Sequence, residues 1–465
     1  MAPQQASQSR VHDRLPVILK GENGSPQPVN DVKCLHVPGA KGVPFWVPEQ
    51  QVAPGTGLEG PGGKLPKLFT PLKIRGIEMP NRIWVSPMCQ YSAFEGFHTP
   101  WHVTHYGGIA QRGPGLMMVE ASAVQARGRI TPEDSGIWQD AQIEGHRKNV
   151  DFAHAMNCLI AIQIAHAGRK ASTVPPWVSG GAVAEKEAGG WPDDVIGPSS
   201  EPFTSEGAAI PRAMTLEEIE EVKRDFVAAA LRSVKAGYDV IELHFAHGYL
   251  VSSFLSPAVN KRTDQYGGSF ENRVRLALET VEAVRAVLPE DMPLFVRISA
   301  TDWLENNPDY KGETWTVDQS IRLAHLLAER GVDVLDVSSG GIHPMQKVKG
   351  GPAYQAPLAK QIKKAVGDKL LVSTVGNITT GTLAEELISG GKDEDDTPLD
   401  LVAAGRMFQK NPGLVWAWAD DLDTKIQIAH QIRWGFAGRG GSKTSDAEGK
   451  KNSARARDED KINVP

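Results

Sequence analysis

The run DVIELHFAHGYL, residues 239–250, begins as an apolar strand pattern and breaks into His244, His247 and Tyr249. Two imidazoles and a phenol this close together admit three chemistries. A metal site would join both histidines with Glu242. A strand, however, places residues three apart on opposite faces, and no second His, Asp or Glu cluster stands at a neighbouring strand end. No metal is expected. The second reading is structural: histidines bonded to main-chain groups. The third is a carbonyl-binding pair. Two N–H donors aimed at one oxygen stabilise the negative charge that develops on it, and losing one such donor costs about 2.7–4 kcal/mol. Tyr249 would then act as the acid, since a phenol with a reference pKa of about 10 stays protonated at neutral pH.

Such residues need a frame that brings strand ends together. Eight short apolar runs recur, at residues 82–88, 116–124, 158–168, 239–247, 293–300, 332–340, 369–378 and 399–407. Their continuous apolar character suits strands covered on both faces. Helical patterns separate several of them. One starts at Thr215 with Glu218 three residues on, a capping box, and runs to Gly237. Eight strands alternating with helices predict an α/β protein, a (β/α)8 TIM barrel. Several runs end in small or polar residues, among them Ser86, Gln163, His244, Arg297 and Gly376, where this fold builds its active sites.

The last two runs end in VGNI and AAGRMF. Glycines let main-chain N–H groups approach phosphate oxygens, and Arg406 could add a bidentate charged contact. The alternative is two ordinary glycine turns.

The 465 residues carry 50 basic and 56 acidic side chains, net -6, with 40% hydrophobic content. This balance points to neither nucleic acid nor an anionic membrane surface as a partner. Three dispersed cysteines, Cys34, Cys89 and Cys158, exclude a CxxC metal pair and fit a reducing compartment. No run of about 18 apolar residues occurs, so no membrane span is expected. A cytoplasmic protein is the expectation. Residues 1–66 read as a loop-rich N-terminal extension, with 55–67 linker-like, 67–436 as the barrel, and 437–465 as a polar disordered tail with nothing to bury.

The motifs RIWVSPMCQYSA (82–93), EASAV (120–124), IQIAHAGRK (162–170), ELHFAHGYLVSSFLSPAVNKRTDQYGGSFENR (242–273), FVRISA (295–300) and AAGRMF (404–409) resemble the Old Yellow Enzyme family of FMN-dependent ene-reductases. The likeness is greatest to its thermophilic-like subclass, and within it to fungal members. It extends from about Leu68 to Phe436. The resemblance implies non-covalent FMN, with Ser86, Pro87, Met88, Cys89, Ala121 and Gln163 along the ring and Arg297 at its N1–C2 oxygen side. It places Gly376, Gly405 and Arg406 at the phosphate, and Tyr91, His244, His247 and Tyr249 around the substrate. It implies a ping-pong reduction of α,β-unsaturated carbonyls, nitroalkenes or maleimides by NADPH, with Tyr249 as proton source. The other reading kept open is a flavin-binding regulatory barrel without turnover. A larger branch that shares this barrel needs an iron–sulfur cysteine cluster and a second nucleotide region, both missing from this sequence. A sugar-phosphate aldolase would need a strand-end lysine, and none is seen.

Three features extend or depart from the subclass pattern. The N-terminal segment is long. Residues 172–211, with Trp177 and Trp191, read either as a lid or as a surface loop. Arg433, in QIRWGF, stands where the subclass sends an arginine into a neighbouring subunit of a homodimer or homotetramer, though its flanking residues differ.

Overall fold

The computed structural model describes residues 37–59, 64–204, 207–391 and 396–437. The expected tail therefore lies, beyond residue 437, outside the described residues, as does Cys34.

Eight parallel strands close into a barrel in chain order. They are β1 (Ile83–Val85), β2 (Leu116–Ala123), β3 (Ile160–Ala165), β4 (Val240–Phe245), β5 (Leu294–Ser299), β6 (Val334–Ser338), β7 (Leu371–Thr374) and β8 (Leu401–Ala404). Each falls within one of the eight runs predicted from sequence. Helices pack outside: α1 (Pro100–Ala110), α2 (Ile143–Ala155), α3 (Leu216–Ala236), α4 (Phe270–Arg285), α5 (Val317–Ala328), α6 (Ala356–Val366), α7 (Gly381–Ser389), α8 (Leu414–Asp421) and α9 (His430–Ala437). Helix α3 starts as its capping box requires. Thr215 Oγ1 accepts from the Glu218 N–H at 3.2 Å, the Glu218 carboxylate accepts from the Thr215 N–H at 2.9 Å, and Gly237 closes the helix at φ 97°.

Alternation along the strands sorts the side chains. On β4, Ile241, Leu243 and Phe245 join the shell between strands and helices. Val240 points inward, onto a barrel floor shared with Trp84, Met118, Phe295 and Val334. Glu242 and His244 follow Val240 on that inward side. Above the apolar floor lies a polar layer, fixed by register: Gln163 pairs with Glu242, His244 with Arg297, and Arg297 with Asp336.

The segment before the barrel is anchored at the opposite end of the chain. Gly57–Leu58 forms an antiparallel ladder with Lys425–Ile426. Gln50 accepts from the His430 N–H at 3.0 Å and donates to Gln431 at 2.9 Å, which caps the first turn of α9. Composition marked residues 55–67 as linker-like, yet they carry one strand of this ladder, because its partner lies far away in sequence. No helix among the described residues is long and apolar enough to cross a membrane.

Candidate active site

The strand ends expected to carry chemistry converge at one mouth of the barrel. The His244, His247 and Tyr249 rings stand edge to face, with centroids 5.2 Å apart for the two histidines, 5.1 Å for His244–Tyr249 and 6.5 Å for His247–Tyr249. His244 ends the inward face of β4, while His247 and Tyr249 lie on the turn beyond. That turn is unusual: His247 adopts φ 61°, a left-handed conformation that costs a non-glycine residue energy and clusters at functional sites. Three contacts hold it. The His247 N–H donates to Ser299 Oγ at 2.8 Å, and the ring Nε2 meets Ser338 Oγ at 2.7 Å. Lys170 Nζ donates to the His247 carbonyl at 2.9 Å and to that of Gly341 at 3.1 Å. Gly341 packs against this turn so closely that a Cβ there would stand 2.6 Å from His247 Cα, which no other residue allows.

Burial sets the charge of the trio. It is the main force holding His247 down to about 3 and His244 well below the ordinary value, with Arg297 and Lys170 acting the same way on both. Both imidazoles are neutral at pH 7, so each offers one N–H. Burial raises the Tyr249 phenol well above its usual value, aided by Cys89 and Tyr91, and keeps it protonated.

The segment after β1 lies against this trio. Burial, then Asp134 and Glu120, push the Cys89 thiol up, so it is a thiol at neutral pH. The next residue is pinned from β2: the Gln90 N–H donates to Glu120 Oε2 at 2.8 Å. Glu120 in turn accepts from Tyr106 Oη at 3.2 Å. Tyr91 follows at φ 49°, and its ring meets Trp177 edge-on at 5.5 Å. Ala121 and Tyr249 line one small cavity together.

Arg297 is buried in the polar layer. It bonds Asp336 through Nε and donates from Nη2 to Ser86 Oγ at 2.9 Å, and Glu242 lies 3.7 Å away. Burial opposes its charge, but Asp336 and Glu242 outweigh it and hold the guanidinium above its ordinary value. Gln163 donates to Glu242 Oε1 at 2.7 Å.

At the ends of β7 and β8, Gly376 has φ 120°, a conformation reserved for glycine, and a Cβ on Gly405 would stand 3.2 Å from Met88 Sδ. Both positions keep bare main chain at the barrel mouth, with Arg406 exposed beside Gly405. Gln355, not singled out from sequence, ties this region together: its amide donates to Val375 O at 2.7 Å and its oxygen accepts from Ser338 and Ser339.

Arg433 is not brought to this cluster. It is exposed on α9, whose first turn Gln50 caps. Lys170 was legible only as part of the IQIAHAGRK motif; its position two residues after a strand-end Gly168 was the available signal.

Comparison with known proteins completes the picture. A family model described as NADH:flavin oxidoreductase / NADH oxidase matches residues 67–425. The chain is 53% identical over 406 residues to an NADH:flavin oxidoreductase of Gibberella zeae, covering 86% of this chain and 96% of that one. It is 41% identical over 367 residues to an NADPH dehydrogenase of Bacillus pumilus, covering 78% and 98%. Among solved structures, morphinone reductase superposes with TM-score 0.61 at 26% identity, over 78% of this chain and 91% of that one. A 2-naphthoyl-CoA reductase shares the fold at TM-score 0.67 and 23% identity; this chain spans 52% of its length. The chain belongs to the NADH:flavin oxidoreductase / NADH oxidase family, and is an FMN-dependent oxidoreductase of the Old Yellow Enzyme kind.

Proposed function

We propose that the protein is an NADPH-dependent ene-reductase that saturates the activated C=C bond of α,β-unsaturated carbonyls, with nitroalkenes and maleimides as related acceptors. The observation that carries this reading is the ring trio: two neutral imidazoles and a protonated phenol, edge to face within 5.1–6.5 Å. His244 donates an N–H to the substrate oxygen, and His247 turns its own from Ser338 Oγ to the same oxygen, so that both stabilise the charge that develops there. Tyr249 gives its hydroxyl proton to Cα. FMN, when bound, would supply the hydride for Cβ, with NADPH as its reductant.

The residues present fit that cofactor. Gly376 and Gly405 leave bare main chain beside Arg406, a cradle suited to a phosphate. The charged Arg297 would offset the negative charge that reduction places on the ring. Ser86, Pro87, Met88, Cys89, Ala121 and Gln163 would line the isoalloxazine. Tyr91 borders the substrate, and Arg433 of a neighbouring subunit in a homodimer or homotetramer completes the site. The sparse, dispersed cysteines support a reducing compartment, the cytoplasm, for the enzyme.

Purified holoenzyme tests the reading. Heat should release FMN, and cyclohexenone should accelerate NADPH consumption under anaerobic conditions. Release of FAD, a colourless protein, or no response to any enone overturns it. Phenols such as p-hydroxybenzaldehyde should give a long-wavelength absorbance band, weakened in His244→Ala and in His247→Ala.

A further inference from the structure

Beside the ring trio lies a cavity of about 240 Å³, lined on one side by Tyr91, Arg169 and Lys170 and on the other by residues within 173–181, by Phe203 and by 208–209. Its walls are mostly apolar, with Val174, Pro176 and Phe203 among them. Its charged residues are the two cations. No carboxylate among the described residues lines it. Neither cation is in an ion pair there: Arg169 bonds main-chain oxygens of Glu201, Pro202 and Ile342, and Lys170 those of His247 and Gly341. Arg169 Nε is buried with no hydrogen-bond partner, and Lys170 has one of its three N–H groups left over. Lys170 Nζ stands 4.4 Å from the Phe203 ring centre and 5.1 Å from that of Tyr249, so it bridges the cavity and the trio.

Two adjacent buried cations, with Glu201 and Asp302 near Arg169 but no carboxylate on the cavity wall, are costly until an anion arrives. We propose that this cavity is a second subsite, which takes an apolar arm of the bound molecule ending in an anion held by Lys170 and Arg169. The anion has two sources: a carboxylate on the unsaturated substrate, or the 2′-phosphate that distinguishes NADPH from NADH. The inference rests on the ene-reductase reading, because Tyr249 and the histidines must hold the other end of the same molecule.

Holoenzyme and a matched pair of phenols provide the test: 3-(4-hydroxyphenyl)propionate and its methyl ester, titrated through the long-wavelength band. Both share the phenol head, so a disturbed histidine pair weakens both alike and leaves their ratio unchanged. The wild-type protein should bind the acid roughly tenfold tighter than the ester, the size of one charge-assisted contact. Lys170→Gln, which keeps a donor for the His247 carbonyl, should bring the ratio near one, as should Ala209→Trp, which fills the cavity. The ratio of NADPH to NADH in FMN reduction is then measured in the same variants. If the acid–ester ratio collapses alone, the substrate supplies the anion. If the NADPH–NADH ratio collapses, the reductant phosphate does. If neither ratio moves, the subsite is refuted. Failure of the ene-reductase reading looks different: neither phenol gives a band, and cyclohexenone is not reduced.

Discussion

Lys170, two residues beyond a glycine after β3, donates to the main-chain oxygen of His247, at the turn beyond β4. Side-chain chemistry on one strand is thus fixed by a cation from its neighbour. Replacing Lys170 by Met removes both carbonyl contacts and leaves two buried oxygens short of a donor. His247 would then hold its left-handed conformation without that support. Binding of p-hydroxybenzaldehyde should weaken by about tenfold or more, consistent with two lost hydrogen bonds to a charged group. Unchanged affinity in a titration would show that Ser299 and Ser338 hold the turn alone.

Tyr249→Phe separates the two half-reactions. Hydride transfer from NADPH needs no phenol, and stopped-flow FMN reduction should stay within a few-fold of wild type. Cyclohexenone reduction should slow by about 10²–10⁴, the usual range for a lost general acid. Nitroalkenes should suffer less, since a stabilised nitronate can leave and take its proton from water. Equal slowing of both half-reactions would assign Tyr249 to pocket shape instead.

Glu120 lies beneath the Cys89 segment and contributes, after burial and Asp134, to holding the thiol up. Glu120→Gln keeps an oxygen for the Gln90 N–H and removes the charge. Alkylation of Cys89, followed by peptide mass spectrometry, should then shift to lower pH, and the flavin potential should move with it. A pH profile identical to wild type would reduce Glu120 to a purely mechanical anchor.

Several buried histidines make stability depend on pH in a defined direction. Burial holds His146 down to about 4 and both His166 and His247 to about 3, against an unfolded value of about 6.5. Below that unfolded value the denatured chain binds more protons than the folded one. Stability is therefore full above about pH 6.5 and falls as the pH drops towards 3, by up to about 1.4 kcal/mol per pH unit for each group. Urea midpoints should decline between pH 7 and 5. Asp134 and Asp302, held up to about 7 and about 6 mainly by burial, bind protons in the folded state over this range and work against the decline, so a flat profile would mean that they balance the imidazoles.

The barrel was legible because each strand is a local apolar run and its pairing follows chain order. The trio was legible for a similar reason: His244, His247 and Tyr249 sit within one short stretch. What supports them was not. Glu120, Gln355 and Lys170 reach their partners from other parts of the barrel, so their contacts depend on barrel register, which no local pattern encodes. The edge contact of Trp177 on Tyr91 is equally non-local. It puts Trp177 against a residue expected to touch substrate, where composition left a lid and a surface loop as equals.

The antiparallel ladder between Gly57–Leu58 and Lys425–Ile426 has a consequence for the order of events during synthesis. The segment at 37–59 leaves the ribosome before any barrel strand, and its partner leaves after all eight. Through the whole of translation the ladder-forming donors and acceptors of Gly57–Leu58 must be met by water. Closure of this seam is a late, high-contact-order step, and the capping of α9 by Gln50 waits on it. A protease added early in refolding should therefore cut at 37–59 while the barrel is already resistant, and the helix bearing Arg433 should be the last to gain protection.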